Sequence, residues 1–219
     1  MASRNRRDYP GKLLVEGETD KYVIPYLMEA NGVAWPEPPD HPVDIEAYGG
    51  VDEILKPGVI ELEIGASGRE ALGVVVDANG DAAARWDGVK TWCGSEFPDL
   101  PDQIPAEGLV VVHPSGPRFG VWIMPDNRFT GMLEDFLVRL IPDDSRHLYE
   151  IARNSVAEAK RNRAPFRDVH ERKAEIYTWL AWQDPPDLRL HEAVEQAVLD
   201  SARVESQPFV NWFKRLFGV

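Results

Sequence analysis

LLVEGETDKYVIPYLMEANG, residues 13–32, changes periodicity within a single turn. Lys12, Leu13, Leu14 and Val15 make a short apolar strand that runs into Glu16-Gly17-Glu18-Thr19-Asp20. Tyr22, Val23, Tyr26, Leu27 and Met28 then recur at helical spacing as far as Asn31-Gly32, a good C-terminal stop. Pro25 is expected in the first turn or two of that helix, where its missing N–H costs least. A strand passing through an acid–glycine turn into a helix is the opening of an alternating α/β pattern.

Working outward, that pattern continues. Val43–Tyr48 reads as a second strand and Val51–Lys56 as a short helix ended by Pro57-Gly58. Ala71–Val76 is a near-continuous apolar run of the kind buried inside parallel sheets, and it ends at Asp77-Ala78-Asn79-Gly80-Asp81 before a helix over Ala82–Cys93. Leu109–His113 and Phe119–Met124 are two further strands, predicted as an antiparallel hairpin. After Pro125-Asp126-Asn127 a helix is expected over Gly131–Leu140. From about Ser145 only helices follow: Arg146–Arg161, Val169–Gln183, Leu190–Ser201 and Pro208–Phe217. The predicted fold class is α/β, a mixed, mostly parallel sheet flanked by helices. Residues 1–143 form its core, and 144–219 form a helical C-terminal extension packed on it.

Composition bounds the function. The 219 residues are 43% hydrophobic and 28% charged, enough apolar content for a packed core. A single cysteine, Cys93, excludes an intramolecular disulfide framework and a cysteine-based zinc site, and fits a reducing cytosol. The longest apolar runs are strand-length, and the basic arm MASRNRRDYPGK has no apolar segment behind it. A cytoplasmic protein with no membrane partner is expected. The net charge of −13 argues against broad phosphate contact of the kind made by extended nucleic-acid binders. Part of the excess suits carboxylates gathered to bind cations; the rest suits surface acidity.

Open α/β sheets hold ligands at the carboxyl ends of their strands, and acids fall there three times. The first strand ends at Glu16, with Glu18 and Asp20 close behind; Ala71–Val76 ends at Asp77, with Asn79 and Asp81; Phe119–Met124 ends near Asp126, followed by Glu134 and Asp135. Hard cations such as Mg²⁺ take oxygen ligands, and one or two carboxylates with several waters suffice. Asp77, Asp81, Asp20 and Asp126 also precede helices, and any one of them alone is more often an N-cap than a ligand. Glu16 is different, because a spare carboxylate at the rim of a buried strand is costly.

LLVEGETD (13–20) resembles the first motif of the TOPRIM fold, in which a strand ends in Glu-Gly with an acid a few residues on; Glu16, Gly17 and Asp20 fill those places. VVVDAN (74–79) resembles the second motif, a strand ending in Asp-x-Asp. Asp77 matches the first acid, whereas Asn79 departs from the second unless Asp81 takes its place. GVWIMPDN (120–127), GMLEDFL (131–137) and KAEIYTWLAWQ (173–183) extend the likeness to a small bacterial TOPRIM-related family of unassigned function. That family is distantly similar to the overcoming-lysogenization-defect nucleases. The resemblance implies phosphodiester chemistry with Mg²⁺ or Mn²⁺. Glu16 would be general acid/base, Asp77, Asp81, Asp20 and Asp126 metal ligands, Glu18, Asn79, Glu134 and Asp135 in support, and Lys173 a positive charge for the transition state. It also implies nucleic acid as substrate, and an ATPase partner protein is a further expectation. An inactive TOPRIM-fold partner or regulatory protein is the alternative, and a small-phosphoester hydrolase a third reading.

Other features have plainer expectations. His113, at a strand end, is the only histidine placed near the site. Lys173 has the commoner reading of an exposed, solvated helix lysine. Ile176, Trp179, Leu180 and Trp182 read as the core face of one helix. Phe209, Trp212, Phe213, Leu216 and Phe217 form an apolar face that docks on the domain or on a partner, the basis for oligomerisation through the C-terminal helix. Arg4-Asn5-Arg6-Arg7 and Lys160-Arg161-Asn162-Arg163 are the basic clusters.

Overall fold

The computed structural model describes residues 9–219 except 39 and 95. The first basic arm therefore lies outside the described residues. Five strands, β1 (Gly11–Val15), β2 (Val43–Ala47), β3 (Ala71–Asp77), β4 (Leu109–Val112) and β5 (Arg118–Met124), form one sheet in the order β2-β1-β3-β5-β4. All neighbours are parallel except β4, which runs antiparallel to β5 as the hairpin reading requires. The α/β class and the mostly parallel sheet thus stand as read from the sequence.

Helices cover both faces, which is why β1 and β3 are apolar on both. Leu14, Leu72, Val74, Val76, Phe119, Val121 and Ile123 pack against α2 (Val51–Ile54), α3 (Val59–Ile64) and α4 (Ala82–Cys93). Leu13, Val15, Val75, Trp122 and Met124 face the opposite layer. That layer is α1 (Glu18–Ala30), α5 (Leu133–Val138), α6 (Arg146–Arg161), α7 (Glu171–Leu180), α8 (Leu190–Glu195) and α9 (Gln207–Phe217). Short 3₁₀ turns at Asp143–Ser145 and Asp168–His170 lead into α6 and α7.

α9 lies directly on the sheet. Gly73 and Gly120 are cross-strand partners, and a Cβ on either would come within 2.9 Å and 2.6 Å of Leu216. Phe209, Trp212, Phe213 and Leu216 are buried, and Trp212 Nε1 donates to the Leu109 carbonyl at 2.9 Å. The apolar face that suggested an oligomer contact is consumed inside the chain.

Local expectations need correction, among them the helix read over Leu190–Ser201, which ends at Glu195. α1 starts at Glu18, so Pro25 sits in the interior of the helix and not its first turns. Glycine 17 caps the helix there, with the Asp20 carboxylate accepting its N–H, which brings the start forward. The segment after Pro57-Gly58, left unassigned by periodicity, forms α3 on a left-handed Gly58. Trp182 lies beyond the end of α7 and is exposed, while Trp179 is buried.

Candidate functional site

Chain order along the sheet reverses beside β1: β2 lies on one side and β3 on the other, and α1 covers one face while α2 to α4 cover the other. The crevice outside the carboxyl ends of such a pair is where open α/β sheets bind ligands. Glu16 leaves the end of β1 and Asp77 ends β3. The Glu16 carboxylate accepts the Asp77 main-chain N–H at 2.8 Å, tying the two strand ends together.

Two more acids join them. Asp20 lies in the first turn of α1 and Glu134 in the first turn of α5; they are 8% and 5% exposed. Asp77 Oδ1 accepts the Leu133 N–H at 3.1 Å, which sets α5 against the end of β3. Burial, then the neighbouring charges of Asp20, Glu16 and Glu134, push the Asp77 carboxyl up to about 9. Burial and the charges of Glu134 and Glu16 push Asp20 up to about 7. Glu16 is also raised, chiefly by burial. Carboxylates from β1, α1, β3 and α5 therefore share one crevice, and those of Asp77, Asp20 and Glu16 resist ionising together there.

Two cations attend them. Lys173, exposed on α7, reaches Glu134 at 3.2 Å. Burial alone would lower its pKa, but Glu134, with Tyr177 and Asp20, leaves it raised. Arg85, on α4, donates Nε–H to the Asp77 carbonyl at 2.8 Å and attracts the Glu16 carboxylate. Sequence reading passed over Arg85. The available signal was a cation in the second turn of a helix, where the macrodipole disfavours it.

The remaining predicted residues have other tasks. Asp81 caps α4, accepting the N–H groups of Ala83 and Ala84 at 2.9 and 3.0 Å. Asp126 closes a turn by accepting from Arg128 and Phe129, and pairs with Arg139 at 2.6 Å; these bonds outweigh burial and lower its pKa. Glu18 is exposed near Lys21. Asp135 accepts the Met132 N–H and pairs with Arg172 at 2.8 Å, and Arg172 continues to Glu175 and the Tyr149 hydroxyl. Asn79 departs from the acidic pattern for a backbone reason. Its φ is +53°, a conformation asparagine tolerates, and its N–H and carbonyl pair with Gly131. It lines, with Gly131, Asp135 and Arg172, a cleft of about 280 Å³ beside the acids.

His113 lies away from the site. β4 is antiparallel, so its carboxyl end points to the opposite edge of the sheet, where His113 meets Ser115 and Glu96. The basic run at the end of α6 is spent locally, Lys160 on Asp168 and Arg161 on Glu158.

The donor set is all carboxylate oxygen, the chemistry of hard divalent cations. Among the described residues no three acidic, histidine or cysteine side chains are grouped as a ready-made metal cage. A cation that keeps much of its own water, as Mg²⁺ does, needs only one or two of these carboxylates directly. Among the described residues no helix is long and apolar enough to cross a membrane.

Neither a curated protein nor a solved structure matches the chain. A family model described as a protein of unknown function, DUF3226, matches residues 10–218, nearly the whole chain, and the protein belongs to that family.

Proposed function

We propose that the chain is a TOPRIM-like phosphodiesterase dependent on Mg²⁺ or Mn²⁺, acting on nucleic acid. The observation that carries this reading is the convergence of Glu16, Asp20, Asp77 and Glu134 at the switch point of the sheet, with Asp77 and Asp20 strongly raised. A site that holds this much negative charge out of water is disfavoured in itself, and a divalent cation removes the repulsion.

Asp77, with Asp20 or Glu134, would hold the ion, which when bound neutralises phosphate charge and lowers the pKa of a water. Asp81 and Asp126 are left out of the ligand set because capping and the Arg139 pair engage them. Glu16 is fixed by the Asp77 N–H and its pKa is raised by burial, the direction that suits a carboxylate acting as general acid/base. Lys173 offers a charge for the phosphoryl oxygens once a cation has taken over Glu134.

The test is calorimetric titration of Mg²⁺ and Mn²⁺ into the wild type, Asp77→Ala and Glu16→Ala, followed by cleavage assays on single- and double-stranded DNA, RNA and a small phosphodiester. Metal binding lost in Asp77→Ala, with metal-dependent cleavage lost in Glu16→Gln and Asp77→Asn, is the expected result. Full cleavage by those two variants overturns the mechanism. The non-enzymatic partner reading rests on Asn79, whose turn geometry leaves the second acid of the motif unfilled. Metal binding without cleavage of any substrate would favour it.

A further inference from the structure

Arg85 is anchored at one nitrogen and open at the others. Its Nε–H is fixed on the Asp77 carbonyl at 2.8 Å, so the plane of the guanidinium is tied to the strand end that carries the central acid of the site. Among the described residues no hydrogen bond or ion pair engages its two terminal nitrogens. This leaves donors free on a half-buried arginine that lies near the Glu16 carboxylate. Glu16, which it attracts, already has an oxygen taken by the Asp77 N–H. Lys173, the other cation, is committed to Glu134.

A guanidinium presents its donors as a rigid planar fork that matches two oxygens of a phosphate, and it cannot lose its charge. Resting on the proposed metal-dependent phosphodiesterase reading, we infer that Arg85 is the substrate-phosphate clamp of the site, its free terminal nitrogens taking two non-bridging oxygens of the phosphoester. The anchoring bond lets it do so at little entropic cost, since the side chain is already aimed before substrate arrives. It also gives a role to a cation placed where the helix dipole opposes it. No bond is made or broken by this residue.

Inorganic phosphate and, separately, a short single-stranded DNA are titrated by calorimetry, with Mg²⁺ present, into the wild type, Arg85→Gln and Arg85→Lys. Melting curves verify that each variant is folded, and Mg²⁺ alone is titrated into each. Arg85→Gln is expected to weaken phosphate and DNA on the order of tenfold or more, the worth of a charge-assisted pair. Arg85→Lys restores only part, because charge returns without the fork. Mg²⁺ affinity in Arg85→Gln is unchanged or tighter, since a nearby positive charge is gone. A response to DNA and not to free phosphate identifies the polymer as the source of the clamped group. If the wild type binds Mg²⁺ and Arg85→Gln holds both anions as tightly as the wild type, the clamp is overturned and the metal reading survives. If the wild type binds no Mg²⁺, the metal reading falls and the clamp falls with it.

Discussion

Two clusters of buried charge sit on the same sheet and differ in one respect. Near the start of β1, Lys12 is only 3% exposed and pairs with Glu46 at 2.6 Å and Glu63 at 2.9 Å. Arg69 adds its own contact to Glu63 at 3.4 Å and donates to the carbonyls of Tyr9 and Glu63, while the Tyr48 hydroxyl also meets Glu63. Acids and bases there neutralise one another within the protein. At the other end of β1, four acids face Lys173 and Arg85. A paired cluster tolerates burial because each charge has an opposite partner; an unbalanced one is costly, the kind of feature that marks a candidate functional site. The contrast separates charge balanced within the protein from charge that is not.

The comparison breaks first at Lys12. Lys12→Met takes the ammonium from Glu46 and leaves Glu63 only Arg69 and the Tyr48 hydroxyl, and a loss of about 2–3 kcal/mol is expected in urea unfolding, the worth of lost hydrogen bonds to charged groups. A loss below about 1 kcal/mol would show that this cluster is loosely solvated and remove the contrast.

The acid cluster should respond to pH in the opposite sense from ordinary ion pairs. Folding raises Asp20 to about 7 and Asp77 to about 9, so the folded state binds more protons than the unfolded chain above about pH 4. Their contribution is most favourable below the unfolded value and is lost as pH rises through 7 and 9. In chelator, the urea midpoint should fall between pH 5.5 and 9 by the equivalent of about 1–3 kcal/mol. A flat profile would mean these carboxylates are well hydrated.

Asp77→Asn sharpens the same point. Asparagine keeps an oxygen for the Leu133 N–H and cannot ionise, so above about pH 9 the metal-free protein should gain about 1–2 kcal/mol, while any Mg²⁺-induced rise in Tm disappears. Destabilisation would assign Asp77 to the structure alone. The smallest effect is at Asp81: Asp81→Ala should lose about 1 kcal/mol as an N-cap and leave Mg²⁺ affinity as it was. A lost metal response in that variant would return Asp81 to the ligand set.

What the sequence disclosed follows from what is local. An apolar run ended by an acid placed Glu16 and Asp77 at strand ends, because burial and the end of a strand are both written in neighbouring residues. Asp126 met the same rule and still went elsewhere, since its carboxylate found two loop N–H groups and Arg139 within its own turn. Of the adjacent pair Glu134 and Asp135, nothing in the sequence says which faces inward; the rotation of α5, set by Leu133 against Asp77, decides it. Arg85 was hidden because its partner is a main-chain carbonyl, which has no residue type to notice. Amphipathicity revealed that α9 has an apolar face, but only strand register shows that Gly73 and Gly120 stand side by side to receive it.

That glycine pair has a consequence for synthesis on the ribosome. α9 comes after every strand in the chain, yet Leu216 fills the hollow over β3 and β5, and Trp212 closes the β4 edge. Until that helix emerges, the growing chain displays an uncovered apolar groove along its two central strands. Interruption of translation shortly before residue 209 would leave nearly all of the sheet made and one face of it sticky. Such a product is a natural client for chaperones and proteases.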